Sequence, residues 1–155
     1  MIEQRLFTEQ QIGFTSDDYY TPKWVFDALG LHFDLDVASP PGGTDVPCNH
    51  YFTQADDGLA QDWFGRVWCN PPFSGASKWV EKWIEHQNGV LLVQSSKAKY
   101  FNWLWESNAK CVSTDHKFLF ATPGQGGRRD VYMPILIWAL GNKNIQALNN
   151  IGKVR

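Results

Sequence analysis

Arg66-Val67-Trp68-Cys69-Asn70-Pro71-Pro72-Phe73-Ser74-Gly75-Ala76 runs on through residues 77–87 to Asn88-Gly89-Val90-Leu91-Leu92-Val93. The segment Arg66–Cys69 predicts a short strand. Ser77 is placed to cap a helix to about Gln87, with Trp79, Val80, Trp83 and Ile84 on its apolar face and Asn88-Gly89 as its stop. Val90-Leu91-Leu92-Val93 is continuously apolar, as expected of a strand buried on both faces of a parallel sheet. Strand, helix and strand in succession predict an α/β fold with helices covering the sheet on both sides.

The same alternation extends in both directions. Residues 1–16 lack periodicity and are expected to form a loose arm, leaving residues 17–155 as one domain. Thr21-Pro22 opens a helix, with Thr as cap and Pro at the first helical position, and Gly30 can end it. Phe33-Asp34-Leu35-Asp36-Val37 alternates with period two and predicts a strand. Residues 38–57, rich in Gly, Pro, Asp and Asn, predict an ordered loop, and a helical turn is expected at Leu59–Trp63. After Val93 come a helix over Tyr100–Ser107 and a short strand at Cys111-Val112. Lys117–Ala121 and Tyr132–Leu140 follow as strands that pair antiparallel across a Gly/Arg-rich loop. The sheet is therefore expected to be mostly parallel, with a C-terminal antiparallel strand pair.

At 155 residues the chain is long enough for a buried core. It contains no apolar run of about 18 residues and no charged-then-apolar leader, which predicts a soluble, intracellular protein. Three cysteines, Cys48, Cys69 and Cys111, are too few and too irregularly spaced for a disulfide framework or a zinc site, and no metal is expected. The net charge of −2 hides a division, −8 over residues 1–77 and +6 over residues 78–155. Either the basic half faces a polyanion, with Lys97, Lys99, Lys110, Lys117, Arg128 and Arg129 as phosphate contacts, or the two halves intermix in space.

In open α/β sheets, ligands collect beyond the carboxyl ends of the strands. Val37 and Cys69 both end strands, so Asp36–Ser39 and Asn70–Phe73 are expected on one edge. Asn70-Pro71-Pro72-Phe73 suits a planar amine. The Asn70 side-chain oxygen can accept one N–H and the Pro71 carbonyl the other. Pro72 restricts Pro71 to extended backbone, and Phe73 offers a stacking face worth about 1–3 kcal/mol. Accepting both hydrogens favours a pyramidal nitrogen and frees its lone pair, so methyl transfer to an exocyclic amine needs orientation rather than a strong base. The plainer alternative is a proline turn in which Asn70 caps the next helix.

Asn70–Phe73 resembles the catalytic motif of amino-group methyltransferases that use S-adenosylmethionine. The wider pattern resembles phage-type DNA N6-adenine methyltransferases. It comprises Tyr19-Tyr20-Thr21-Pro22, Phe33-Asp34-Leu35-Asp36-Val37-Ala38, Tyr51-Phe52-Thr53 with Asp57-Gly58-Leu59, then Trp63 and Trp68–Phe73. The resemblance implies a single Rossmann-like methyltransferase domain acting on double-stranded DNA in a bacterial host's cytoplasm, encoded by a phage or prophage. Asn70, Pro71, Pro72 and Phe73 would hold a flipped adenine. Asp36, Val37, Ala38 and Ser39 would form the first cofactor motif. Tyr20, Thr21 and Pro22 would line the cofactor's methionine end, and Asp57 and Leu59 would lie near its adenine. Two features depart from the family. Asp36-Val37-Ala38-Ser39-Pro40-Pro41-Gly42-Gly43 replaces the usual glycine-rich loop, and residues 42–56 offer no clear strand ending in an acid for the ribose. Methylation of RNA bases or protein glutamines, and a non-catalytic nucleic-acid-binding module, are the competing functions. Whether the chain works as a monomer or a homodimer is left open.

Overall fold

The computed structural model describes residues 21–95, 97–114, 119–121, 128–130 and 135–155. The N-terminal arm, Tyr20 and Lys117 lie outside these. Helix α1 (Lys23–Leu29) leads into β1 (Phe33–Asp36) and β2 (Cys48–Tyr51). Strand β3 (Val67–Cys69), helix α2 (Ala76–His86) and strand β4 (Gly89–Gln94) form the central unit. Helix α3 (Lys99–Glu106), β5 (Lys110–Ser113), β6 (Leu119–Ala121), β7 (Arg128–Asp130), β8 (Ile135–Leu140) and α4 (Asn142–Ala147) complete the succession.

A six-stranded sheet has the order β2-β1-β3-β4-β8-β5. Strands β2, β1, β3 and β4 run parallel, whereas β8 is antiparallel to both β4 and β5. The expected α/β class and mostly parallel sheet are therefore present. The expected C-terminal antiparallel pairing is present too, but between other partners. Leu119–Ala121 pairs with Arg128–Asp130 as a separate two-stranded ribbon, and Ile135–Leu140 enters the main sheet. The apolar β8 finds more burial between β4 and β5 than in a local hairpin, since all its residues but Leu136 are buried.

Alternation within the strands divides the core in two. Trp68, Val90, Leu92 and Ile137 face α1 and α4 residues, including Val25, Phe26 and Ala147. Val67, Cys69, Leu91, Val93 and Trp138 face α2 and α3 through Val80, Trp83, Tyr100 and Leu104. Each fully buried side chain of this size contributes about 1.5–3 kcal/mol. Phe26 meets Trp68 edge-on at 4.7 Å between ring centroids, which docks α1 directly over β3. Of the eight tryptophans, Trp68, Trp83 and Trp138 are core residues, whereas Trp24, Trp103 and Trp105 are exposed.

Several local expectations shift by a residue. Pro22, not Thr21, is the N-cap residue of α1, and Thr21 makes no capping bond; Gly30 ends the helix in left-handed backbone (φ 63°). Ser77 lies inside α2, which begins at Ala76 after Gly75. Strand β2 replaces part of the expected loop at 38–57. It sits at the sheet edge, exposed along most of its length, so its residues carry no apolar alternation. Two 3₁₀ turns, Gln54–Asp56 and Gly58–Ala60, take the place of a single turn at Leu59–Trp63.

Candidate active site

Register fixes the site's frame. Asp36 stands opposite Trp68 and Tyr51, and the Val37 amide donates to the Trp68 carbonyl at 3.1 Å. The Asp36–Ser39 turn therefore lies beside Asn70 at the carboxyl ends of adjacent parallel strands, as expected. The Phe52 amide donates to the Asp36 carbonyl at 2.9 Å and the Ser39 amide to the Phe52 carbonyl at 2.8 Å, tying the end of β2 to the same turn. Gly58 packs so closely that a Cβ there would fall 2.3 Å from the Val37 carbonyl oxygen. Leu59 is half-buried beside it and Asp57 is exposed, in left-handed backbone at φ 58°. Lys82 holds this segment down, its Nζ donating to the carbonyls of Leu59 (2.9 Å) and Gln61 (2.5 Å).

Asn70 follows β3, half-buried, and Pro71 is buried behind it. The Asn70 Nδ2 donates to Thr21 Oγ1 at 3.2 Å, joining the segment before α1 to the segment after β3. Phe73 begins a 3₁₀ turn (Phe73–Gly75), packs one side against the core under α1, and borders an open cleft of about 380 Å³. Ala76, Ser77, Gln94, Ala98 and Tyr100 also line this cleft. Strand β4 outruns β3 by three residues, from Cys69's partner Leu91 to Gln94, and so builds the far wall.

Over residues 10–123 the sequence matches the family described as DNA N-6-adenine-methyltransferase (Dam). The chain belongs to this family. It is a DNA adenine-N6 methyltransferase, and the family implies S-adenosylmethionine as methyl donor. No curated protein matches the chain in a sequence search. The matched stretch contains Thr21, Asp36–Ser39, Asp57–Leu59 and Asn70–Phe73 and ends before β7 and β8.

In this Dam-family chain Asp36 is buried, so it is not a solvated residue of an edge strand; β1 is flanked on both sides. Its Oδ1 accepts the Ala38 amide at 3.2 Å. Burial pushes its carboxyl from 3.8 up to about 7, partly opposed by that hydrogen bond. Burial also raises the Cys69 thiol, with the nearby Asp36 charge as the lesser cause. The cysteines are thus poor nucleophiles here.

Among the described basic candidates, Lys110 lies apart from Lys97 and Lys99. Lys97 and Lys99 are exposed at the carboxyl end of β4, on the edge that carries the cleft. Lys110 opens β5 opposite Ala139, level with Val90 near the amino end of β4, and so belongs to the opposite edge. Arg128 and Arg129 lie in β7. Gln94 and Tyr100 were not among the expected site residues. A polar residue closing an otherwise apolar strand is the signal that marks Gln94.

Proposed function

We propose that the chain transfers a methyl group from S-adenosylmethionine to the N6 amine of an adenine flipped out of double-stranded DNA, and that residues 17–155 form a single Rossmann-like methyltransferase domain. The observation that carries this reading is the convergence of Thr21, Asp36–Ser39, Gly58 and Asn70 on one sheet edge, fixed by the pairing of β1 with β3 and by the Asn70–Thr21 bond.

The residues fit such a donor. Gly58 admits close backbone approach beside Val37, and the Asp36–Ser39 turn offers backbone groups at a parallel strand end. Asp57 supplies an exposed carboxylate on the same edge. Asp36, Val37, Ala38, Ser39, Asp57 and Leu59 would hold the cofactor. Tyr20, Thr21 and Pro22 would border its methionine end, Thr21 and Pro22 through the main chain. When bound, the cofactor supplies an electrophilic methyl group on a sulfonium.

The chain's own groups do the rest. Asn70 Oδ1 and the Pro71 carbonyl accept the two N6 hydrogens, Pro72 fixes the Pro71 backbone, and Phe73 stacks on the base in the cleft. Lys97, Lys99, Lys117, Arg128 and Arg129 would contact phosphates. The test is incorporation of labelled methyl groups into unmethylated double-stranded DNA, with RNA and protein as controls, followed by digestion with nucleases sensitive to adenine methylation. Label in N6-methyladenine supports the reading. Label only in RNA or glutamine overturns it.

A further inference from the structure

A side-chain amide is nearly symmetric in shape and opposite in chemistry at its two ends. Turned one way, Asn70 offers an acceptor to a substrate amine; turned the other, it sets a donor against a donor. Asparagines at turns are commonly fixed by bonding a backbone N–H one or two residues on. Here those residues are Pro71 and Pro72, which have none. The N-P-P motif rigidifies the main chain and leaves its asparagine no N–H donor on either of the next two residues.

A buried hydroxyl from before α1 meets the amide end of Asn70. We propose that the Thr21 hydroxyl is a positioning group for Asn70: by accepting from Nδ2, it directs Oδ1 toward the substrate amine. Thr21 is buried, and its Oγ1 lies 3.2 Å from Asn70 Nδ2. Its position is set by packing, because α1 begins two residues later and docks on Trp68 through Phe26. Trp68 and Asn70 are two residues apart, so the contact that seats the helix also delivers the hydroxyl. The proposal rests on Asn70 accepting the adenine amine. It gives Thr21 a role acting through Asn70, distinct from contact with the cofactor.

The experiment compares Thr21→Val, which keeps the shape and loses the acceptor, with Thr21→Ser, which keeps the acceptor. At saturating cofactor and DNA, Thr21→Val should slow single-turnover methylation about ten- to a hundredfold, and Thr21→Ser should stay within about threefold of the parent. The dissociation constant for S-adenosylmethionine, read by tryptophan fluorescence, should change by less than about twofold in either. A Thr21→Val rate equal to the parent's overturns the proposal. So does a loss that disappears at saturating cofactor, which would make Thr21 a cofactor ligand. A second readout needs no activity. The side-chain amide resonances of Asn70, assigned by their loss in Asn70→Ala, should move in Thr21→Val and stay near the parent position in Thr21→Ser. Unmoved resonances in Thr21→Val overturn the contact. A parent chain that methylates no DNA overturns the functional reading instead, and the resonances then decide the Thr21 contact by themselves.

Discussion

Asn70, just past β3, and Asp36, the last residue of β1, stand under opposite conditions: one is half-buried and neutral, the other buried and ionisable. Asn70→Ala removes the side-chain acceptor and leaves the strand intact. Methyl transfer should fall at least about a hundredfold, as for loss of a preorganised polar group at a reacting centre, with cofactor binding and melting temperature nearly unchanged. Parent-like turnover would remove Asn70 from the chemistry. Asp36 makes a prediction about pH. Its folded value of about 7 exceeds the ordinary 3.8, so the folded state holds the proton more tightly than the unfolded chain. The stability this gives is fully present below about pH 4 and is lost as pH rises toward 7. Asp36→Asn keeps an acceptor for the Ala38 amide and cannot ionise. Denaturant titrations should show the parent losing stability between pH 5 and 8, and the variant changing less and exceeding it at pH 8 by roughly 1–3 kcal/mol. Equal slopes would mean that Asp36 is not buried as described. Asp36 was legible in the sequence as a residue at a strand end, but its burial was not, because that depends on β2 and β3 closing over it from distant segments.

The elements differ in how openly the sequence announces them. Strand β4 and helix α2 are written in local patterns, an apolar run and a helical stripe, because each is buried against partners that accept any residue of that kind. Strand β2 is not, since an exposed edge strand of Cys, Asn, His and Tyr gains its order from backbone pairing with β1. The pairing of β8 was also hidden: its apolarity is plain, but the choice between β6 and the β4–β5 gap is set by the whole sheet. The Gly58–Ala60 turn is the element through which sequence and site meet most tightly. Its glycine was legible only as a turn former, whereas its use is the approach to Val37 and Trp79. In Gly58→Ala the new Cβ would meet the Val37 carbonyl oxygen at 2.3 Å, a backbone atom that cannot swing aside. The turn must lift, carrying Asp57 and Leu59 with it. Affinity for S-adenosylmethionine should fall about tenfold and the melting temperature by several degrees, as for a strain of about 1–3 kcal/mol. Calorimetric titration checks the first and thermal unfolding the second. An unchanged affinity would place the cofactor away from this turn.

At the scale of the whole molecule, charge was legible as two halves of opposite sign along the chain, and the fold only partly separates them in space. On the site's edge, Asp56 and Asp57 are exposed beyond β1 and β2, while Lys97 and Lys99 are exposed beyond β4, beside the Phe73 cleft. The edge is thus polarised, acidic where the cofactor is proposed and basic where the base is proposed to enter. Lys110 is equally exposed but lies toward the other edge, which makes it a matched control. A cation that neutralises a phosphate releases about one counterion, so its removal lowers the slope of log K against log salt by about 0.9. The double variant Lys97→Ala, Lys99→Ala should weaken binding to double-stranded DNA about tenfold or more at low salt and flatten that slope by roughly two. Lys110→Ala should leave the slope within about 0.3 of the parent, and neither variant should alter cofactor affinity. Fluorescence anisotropy over a series of salt concentrations measures all three. Equal slopes for the double variant and the parent would move the DNA off the β4–α3 side. A slope lost with Lys110 instead would move it to the opposite edge, out of reach of Asn70.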